Sequence, residues 1–429
     1  MTIVLGDSGN NVFKFYPYEM LDITEIRGGR GFDTVNILTY NGVQRYFGYD
    51  STLFSSVERL TFGGDGTAGI TTMYISFASI TAAGMQELVV LPNTNLELSI
   101  LVTGSGSFAV PDLDVDYGSS AVYVELAFGE GQSGTLSYNP GLPFNQGLVG
   151  NAGNDTLLGG SGAQSLTGGA GADYMEGGDG DDDYSVDQSG DVVVEQQGGG
   201  HDTVYSSINY TLGQNFEDLT LTNNASVGRG NGSDNRITGA YQSQNYLVGE
   251  AGRDILVGGG QADRLIGGPG KDRLYGQSGD DALYGGAGND RLFGQSGNDT
   301  LFGGQGRDWL DCGAGIDEMT GGEGADLFIL QFLPKTVVAN GPTKRITDFS
   351  SVDGDLIDLR QVDADDATAD EQAFTFIRGR GFSGTAGELR LALRSDHALL
   401  LGDFDGDGLA DFSIRLDGVT SLSPADFLL

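Results

Sequence analysis

The chain has 429 residues, 60 of them acidic and 22 basic, giving a formal net charge of −38, with 73 glycines and one cysteine. Such acidity excludes nucleic acid as a partner, since a surface of this sign cannot neutralise phosphates, and a lone cysteine excludes an internal disulfide brace. No run of 18 apolar residues occurs, so no membrane-spanning helix is expected.

Residues 1–149 alternate short β-forming runs with Asn, Gly and Ser turns, as in MQELVVLPNTNLELSILVTGSGSFAV and SSAVYVELAF. No 3.6-residue periodicity runs through them, so the segment reads as all-β, with a parallel β-helix expected and a β-sandwich as the alternative. GGRGFDTVN, with Asp33 in its sixth place, and the likeness of SSVERLTF to QNFEDLTL point to internal duplication.

Residues 150–185 read as four nonapeptides, GNAGNDTLL, GGSGAQSLT, GGAGADYME and GGDGDDDYS, whose sixth places are Asp155, Gln164, Asp173 and Asp182. If two nonapeptides make one coil, Asp155 and Asp173 share an edge and form a metal site, whereas Gln164 weakens the edge of Asp182. Residues 186–248 lose the register but keep β-formers between Gly and Asn turns, as longer strands of the same stack. There Asn235 takes the Asp place, in a turn expected to be structural, and His201 is expected to be exposed.

Residues 249–329 carry nine unbroken nonapeptides, from GEAGRDILV to GGEGADLFI. The sixth place is always Asp: Asp254, Asp263, Asp272, Asp281, Asp290, Asp299, Asp308, Asp317 and Asp326. The eighth is always large and apolar, as in Leu274, Met319 and Phe328. Glycines in the first, second and fourth places permit positive φ and close approach of carbonyls to an ion. One carboxylate and one inward anchor per nine residues is the pattern of a stacked solenoid with an ion-binding turn. Coils about 4.8 Å apart stack carboxylates that repel by about 3 kcal/mol per pair at an effective dielectric near 20. A hard divalent cation with oxygen ligands, calcium (Ca2+), is the natural neutraliser, at about seven sites in this block and roughly seven to ten in the chain.

This register resembles the repeats-in-toxin family, whose nonapeptide is GGxGxDxUx with U large and apolar. The resemblance implies a parallel β-roll, calcium held between turns by the Asp side chains and Gly carbonyls, and export by type I secretion machinery. Residues 330–429, with RITDFSSVDGDLIDLRQVD, FSGTAGELRLAL and a terminal SPADFLL, resemble the C-terminal domain of serralysin-type metalloproteases. That likeness implies a cap on the roll and an uncleaved secretion signal ending in Asp426 and apolar residues. Within it, GDFDGDGLADF places Asp403, Asp405, Asp407 and Asp411 in the spacing of half an EF-hand-like calcium loop, without the bidentate Glu; Ile414 stands in the twelfth place. A polar β-turn is the alternative.

Enzyme signatures are missing. HExxH needs paired histidines, and the chain has only His201 and His397; GQSGD and GQSGN break the GxSxG elbow. Ser8 in GDSGN fits the repeat register, and Cys312 stands in a glycine place without a basic sequence neighbour. Residues 1–149 offer as cations only Lys14, Arg27, Arg30, Arg45 and Arg59, and a chain of this charge repels a polyanion. Residues 1–20 lack a basic head and apolar core, so no cleavable signal is expected.

The expected molecule is therefore an all-β parallel β-roll and β-helix solenoid with a C-terminal β cap. It folds on extracellular calcium, where sites of about 10⁻⁴ M in about 1 mM ion add roughly 1.4 kcal/mol each. Its expected role is structural, adhesive or matrix-forming, with extracellular glycans or self-association as contacts. A polysaccharide lyase or epimerase with its site in residues 1–149 is the alternative.

Overall fold

A computed structural model describes residues 147–330, 344–364 and 372–429 in full and, before residue 147, the backbone of the strands alone. Asp33, Ser8 and the side chains of any catalytic groove in residues 1–146 lie outside the described residues. Almost every element is a strand; the one helical turn among the described residues is the 3-10 turn Pro424–Asp426. Two compact units divide the chain, Met1–Tyr205 and Ser206–Leu429.

In the first unit the strands pair in parallel, as the β-helix reading expects. Leu96 pairs with Val122, 26 residues on, but Gln146 pairs with Gln164, 18 residues on. Coils thus shorten to two nonapeptides where the repeats begin. Two ladders carry this part of the roll. One joins Gln146–Val149, Gln164–Thr167 and Asp183–Val186; the other joins Thr156–Leu158, Tyr174–Glu176 and Val192–Val194.

The second unit repeats the arrangement with greater regularity. One parallel ladder runs through Ile255–Gly259, Arg273–Ser278, Arg291–Ser296, Trp309–Asp311 and Leu327–Ile329. The facing one runs through Arg264–Gly270, Ala282–Gly288, Thr300–Gln305 and Asp317–Glu323. Period-2 alternation sends the eighth-place side chains inward, and Leu256, Leu265, Leu274, Leu283, Leu292, Leu301, Leu310, Met319 and Phe328 are all fully buried. Outward-facing ninth-place rings stack along the coils: Tyr275 on Phe293 at 4.9 Å and Tyr284 on Phe302 at 5.0 Å.

Beyond the repeats both ladders continue, into Lys344–Ile346 and Leu356–Asp358. The end is then closed by Phe427–Leu428 beside Leu356–Asp358 and by an antiparallel meander, Glu388–Leu393, His397–Asp403 and Phe412–Asp417, paired to Lys344–Ile346. Phe374, Phe404 and Phe412 pack their rings 5.2–5.7 Å apart in this cap.

Candidate metal centre

Each repeat aspartate ends a turn just before a strand, so the side chain folds back under the turn of its own repeat. One carboxylate oxygen ties coils together. The Asp254 N–H donates to Asp272 Oδ1 at 2.8 Å, Asp272 N–H to Asp290 Oδ1 and Asp290 N–H to Asp308 Oδ1 at the same distance. The opposite edge repeats this through Asp263, Asp281, Asp299 and Asp317.

The other oxygen has a different environment. Oδ2 of Asp173, Asp182, Asp254, Asp263, Asp272, Asp281, Asp290, Asp299, Asp308 and Asp326 is buried and accepts no hydrogen bond. A buried polar atom left so is costly and rare. It faces the first-place glycine of its own repeat and a carbonyl of the next coil: a Cβ built on Gly285 would stand 2.6 Å from Asp290 Oδ2 and 2.5 Å from the Gly303 carbonyl oxygen. That glycine therefore keeps open a small space lined by carboxylate and carbonyl oxygens. The second-place Gly286, at φ 113°, turns the chain back over it. Oxygen-only donors around such a space are what a hard divalent cation takes.

Electrostatics point the same way. Burial pushes the Asp272, Asp299 and Asp308 carboxyls up to about 7, and those of Asp254, Asp281, Asp290, Asp326 and Asp173 to about 6. Burial raises Asp263 and Asp317 as well. The rise measures how poorly these sites hold negative charge without a cation.

The ladders reach further than the nonapeptide register. Asn235 N–H donates to Asp254 Oδ1 and Asn245 N–H to Asp263 Oδ1, so a neutral Asn opens each edge. Asn235 satisfies its own turn, accepting from Asn231 N–H and donating to the Phe216 carbonyl, in line with a structural role. At the far end Asp326 N–H donates to Asp355 Oδ1, and Ser350 N–H satisfies Asp355 Oδ2. In the first block Asp173 N–H donates to Asp191 Oδ1 and Asp182 N–H to Asp202 Oδ1. Asp202 and Asp355 escaped the sequence reading because their spacings break the pattern, Asn245 because of its residue type, and Asp191 because its nonapeptide, VDQSGDVVV, lacks the glycines of the first, second and fourth places.

On the edge that Gln164 shares with Asp182, the carboxylates of Asp182, Glu195 and Asp202 converge, all buried, with oxygens within 4.8 Å of one another. Burial lifts Asp182 to about 8 and Glu195 to about 7. Tyr184 donates its hydroxyl to Glu195 Oε1. His201 is exposed, as expected.

The GDFDGDG segment brings Asp403, Asp405 and Asp407 within 4.8 Å, in the loop between two antiparallel strands. Asp403 is fully buried and accepts from Gly406 N–H at 2.7 Å and Gly408 N–H at 3.0 Å. Asp411 does not join that group and accepts from Phe404 N–H at 2.6 Å.

Cys312 is buried and its thiol is pushed up by burial, although a basic neighbour does stand close by, Lys344 from beyond the repeats. Basic residues also gather where the sequence reading missed them. Arg253, Lys271, Arg273, Arg291 and Arg307, five of the 22 in the chain, line one groove with Trp309 above Asp272 and Asp290. They occupy the fifth and seventh places of alternate nonapeptides, which puts them all on one edge. Arg273 lies directly opposite Arg291, and Arg291 stacks 4.3 Å from the Trp309 ring. Among the described residues only Arg253 of the five makes an ion pair, with Asp234.

None of the curated proteins matches the chain. Among solved structures, the solution structure of the AlgE6R3 subunit from the Azotobacter vinelandii mannuronan C5-epimerase is 30% identical, over 35% of this chain and 77% of that one, with a TM-score of 0.27. Residues 149–184, 242–274, 275–310 and 302–330 match the RTX calcium-binding nonapeptide repeat. Through these four segments the chain belongs to the RTX calcium-binding nonapeptide repeat family.

Proposed function

We propose that this is a secreted protein whose two repeat blocks become rigid when calcium enters the spaces beneath their turns. The observation that carries the reading is the row of buried, hydrogen-bond-free Oδ2 atoms, those of Asp254, Asp263, Asp272, Asp290, Asp299 and Asp308 beside a carbonyl of the next coil. In the second block the ligands are Asp254, Asp263, Asp272, Asp281, Asp290, Asp299, Asp308 and Asp326; in the first they are Asp155, Asp173 and the group Asp182, Glu195 and Asp202. Asp403, Asp405 and Asp407 form a separate site in the cap loop. Residues 330–429 act as a serralysin-like cap and carry the type I secretion signal. Calcium-dependent folding suits that route, because submicromolar calcium leaves the repeats unfolded before export and about 1 mM fills sites of about 10⁻⁴ M. Equilibrium dialysis against buffered calcium tests the core of this reading: the native chain takes up several ions, and D272N/D290N takes up fewer. An equal uptake by both would refute the ligand assignment.

The extracellular role is adhesive, toward an acidic glycan. The groove of Arg253, Lys271, Arg273, Arg291 and Arg307 supports it, with like charges stacked coil on coil and one tryptophan face beside them. Net charge does not forbid this, since charges beyond about 8 Å are screened at physiological salt. Retention on immobilised polyuronate in calcium is expected for the native chain and lost in R273Q/R291Q; equal retention by both would rule out the groove. An epimerase- or lyase-like activity in residues 1–149 remains the second reading, and turnover of the same polymer is its test.

A further inference from the structure

One aspartate of the nine differs from the rest. In register, Asp317 pairs with Lys344, so one edge runs Asn245, Asp263, Asp281, Asp299, Asp317 and then Lys344. A lysine stands in the Asp place. Lys344 is buried, and its Nζ donates to Asp317 Oδ2 and to the Gly313 carbonyl. Those are the same kinds of oxygen, a carboxylate Oδ2 and a turn carbonyl, that converge in the other turns. Asp317 is accordingly the one aspartate of the nonapeptide block whose Oδ2 has a hydrogen-bond partner.

The same turn carries a second departure. Its first place is Cys312, where every other nonapeptide of the block has glycine. In those turns a Cβ would collide with Oδ2, as at Gly285 and Gly303. Here the Cys312 side chain is fully buried and its thiol donates to the Ile329 carbonyl at 3.9 Å. Cysteine thus stands in the place that glycine holds elsewhere, and an ammonium supplies the positive charge. A bulky first place and a cation in the sixth place of the next coil occur together once, at the end of a ladder.

We propose that Lys344 is a tethered replacement for the metal ion at this turn, so that the Asp317 turn takes no calcium and the last ion on this edge lies at Asp299. The cap strand Lys344–Ile346 is then fastened to the roll by a charge the chain carries itself. This rests on the calcium reading above and adds to it where the ladder stops. Unlike a bound ion, a charge carried by the chain stays at this turn at any calcium concentration.

The test counts calcium ions bound per full-length chain at saturating calcium, by equilibrium dialysis and elemental analysis. Four proteins are compared: native, D281N, K344Q and the double variant D317N/K344Q, in which no buried charge is left alone. D281N is expected to bind less calcium than native, which checks the calcium reading by itself. K344Q is expected to bind one ion more than native, through the freed Asp317 carboxylate. The double variant is expected to match native. A count in K344Q that does not rise, or a count in the double variant that falls below native, overturns the proposal. Should D281N bind as much as native, the calcium reading of the ladder fails first and takes this inference with it.

Discussion

At the scale of single residues, each repeat aspartate does two opposed things. Its Oδ1 closes a hydrogen bond between coils, while its Oδ2 is buried charge that only a cation makes favourable. A change of sign follows for Asp272→Asn. With about 1 mM calcium the variant loses one ion's contribution, roughly 1.4 kcal/mol, and its urea midpoint falls. In EDTA at pH 8 the same change removes a buried carboxylate whose pKa burial has lifted to about 7, and the midpoint rises. A fall in both conditions would mean that Asp272 serves structure alone. The pH dependence follows from the same groups. An acid whose folded pKa lies above its unfolded value holds extra protons when folded, so its charge opposes folding as pH rises through the interval between the two. For aspartates moved from 3.8 to about 6 or 7, the metal-free repeats are therefore expected to lose stability between about pH 4 and pH 7 and to level off above. Calcium binding reverses that slope, since ion and proton compete for the same oxygens. Urea titrations at several pH values, with and without calcium, measure both slopes.

At the scale of elements, the nonapeptide predicted strand, turn and inward anchor together, because glycine, aspartate and leucine each have one physical task at a fixed place. That regularity made the roll and most of its turns legible. It also concealed the ends. Asn245, Asp355 and Lys344 complete the ladders, yet Asn245 and Lys344 are not aspartates and Asp355 breaks the nine-residue spacing, and parallel pairing reveals them as the counterparts of the repeat aspartates. Glu195 reaches the Asp182 edge from a loop outside the register, and no periodicity announces it. The basic groove was hidden for another reason: net charge averages over the chain, whereas alternate nonapeptides segregate their fifth and seventh places to one edge. If the Lys344 strand is held without metal, its attachment outlasts the rest of the roll. In EDTA, amides of Asp317–Met319 and Lys344–Ile346 are expected to exchange with deuterium more slowly than those of Arg273–Ser278. Equal rates would remove the distinction between the two kinds of turn.

At the scale of the whole molecule, a thin core and a large negative charge set the conditions for folding. Each coil of the roll buries two large anchors and two carboxylates, so the apolar gain per coil is offset by charge that water no longer solvates. Divalent ions turn that opposition into attraction, and the formal charge of −38 becomes less negative by two for each ion held. No helix among the described residues is long and apolar enough to cross a membrane, and strands paired in parallel provide nearly all of the regular structure. The metal-free fold should therefore be marginal, and the repeats should gain most of their order together as calcium is added, with the Lys344 turn the last to be lost. Far-UV circular dichroism of the EDTA-stripped chain during a calcium titration tests this most directly. A cooperative rise of β signal between about 0.1 and 1 mM calcium is the expected result. A full β signal in EDTA, unchanged by added calcium, would contradict the account and leave the repeats as a solenoid that folds without its ions.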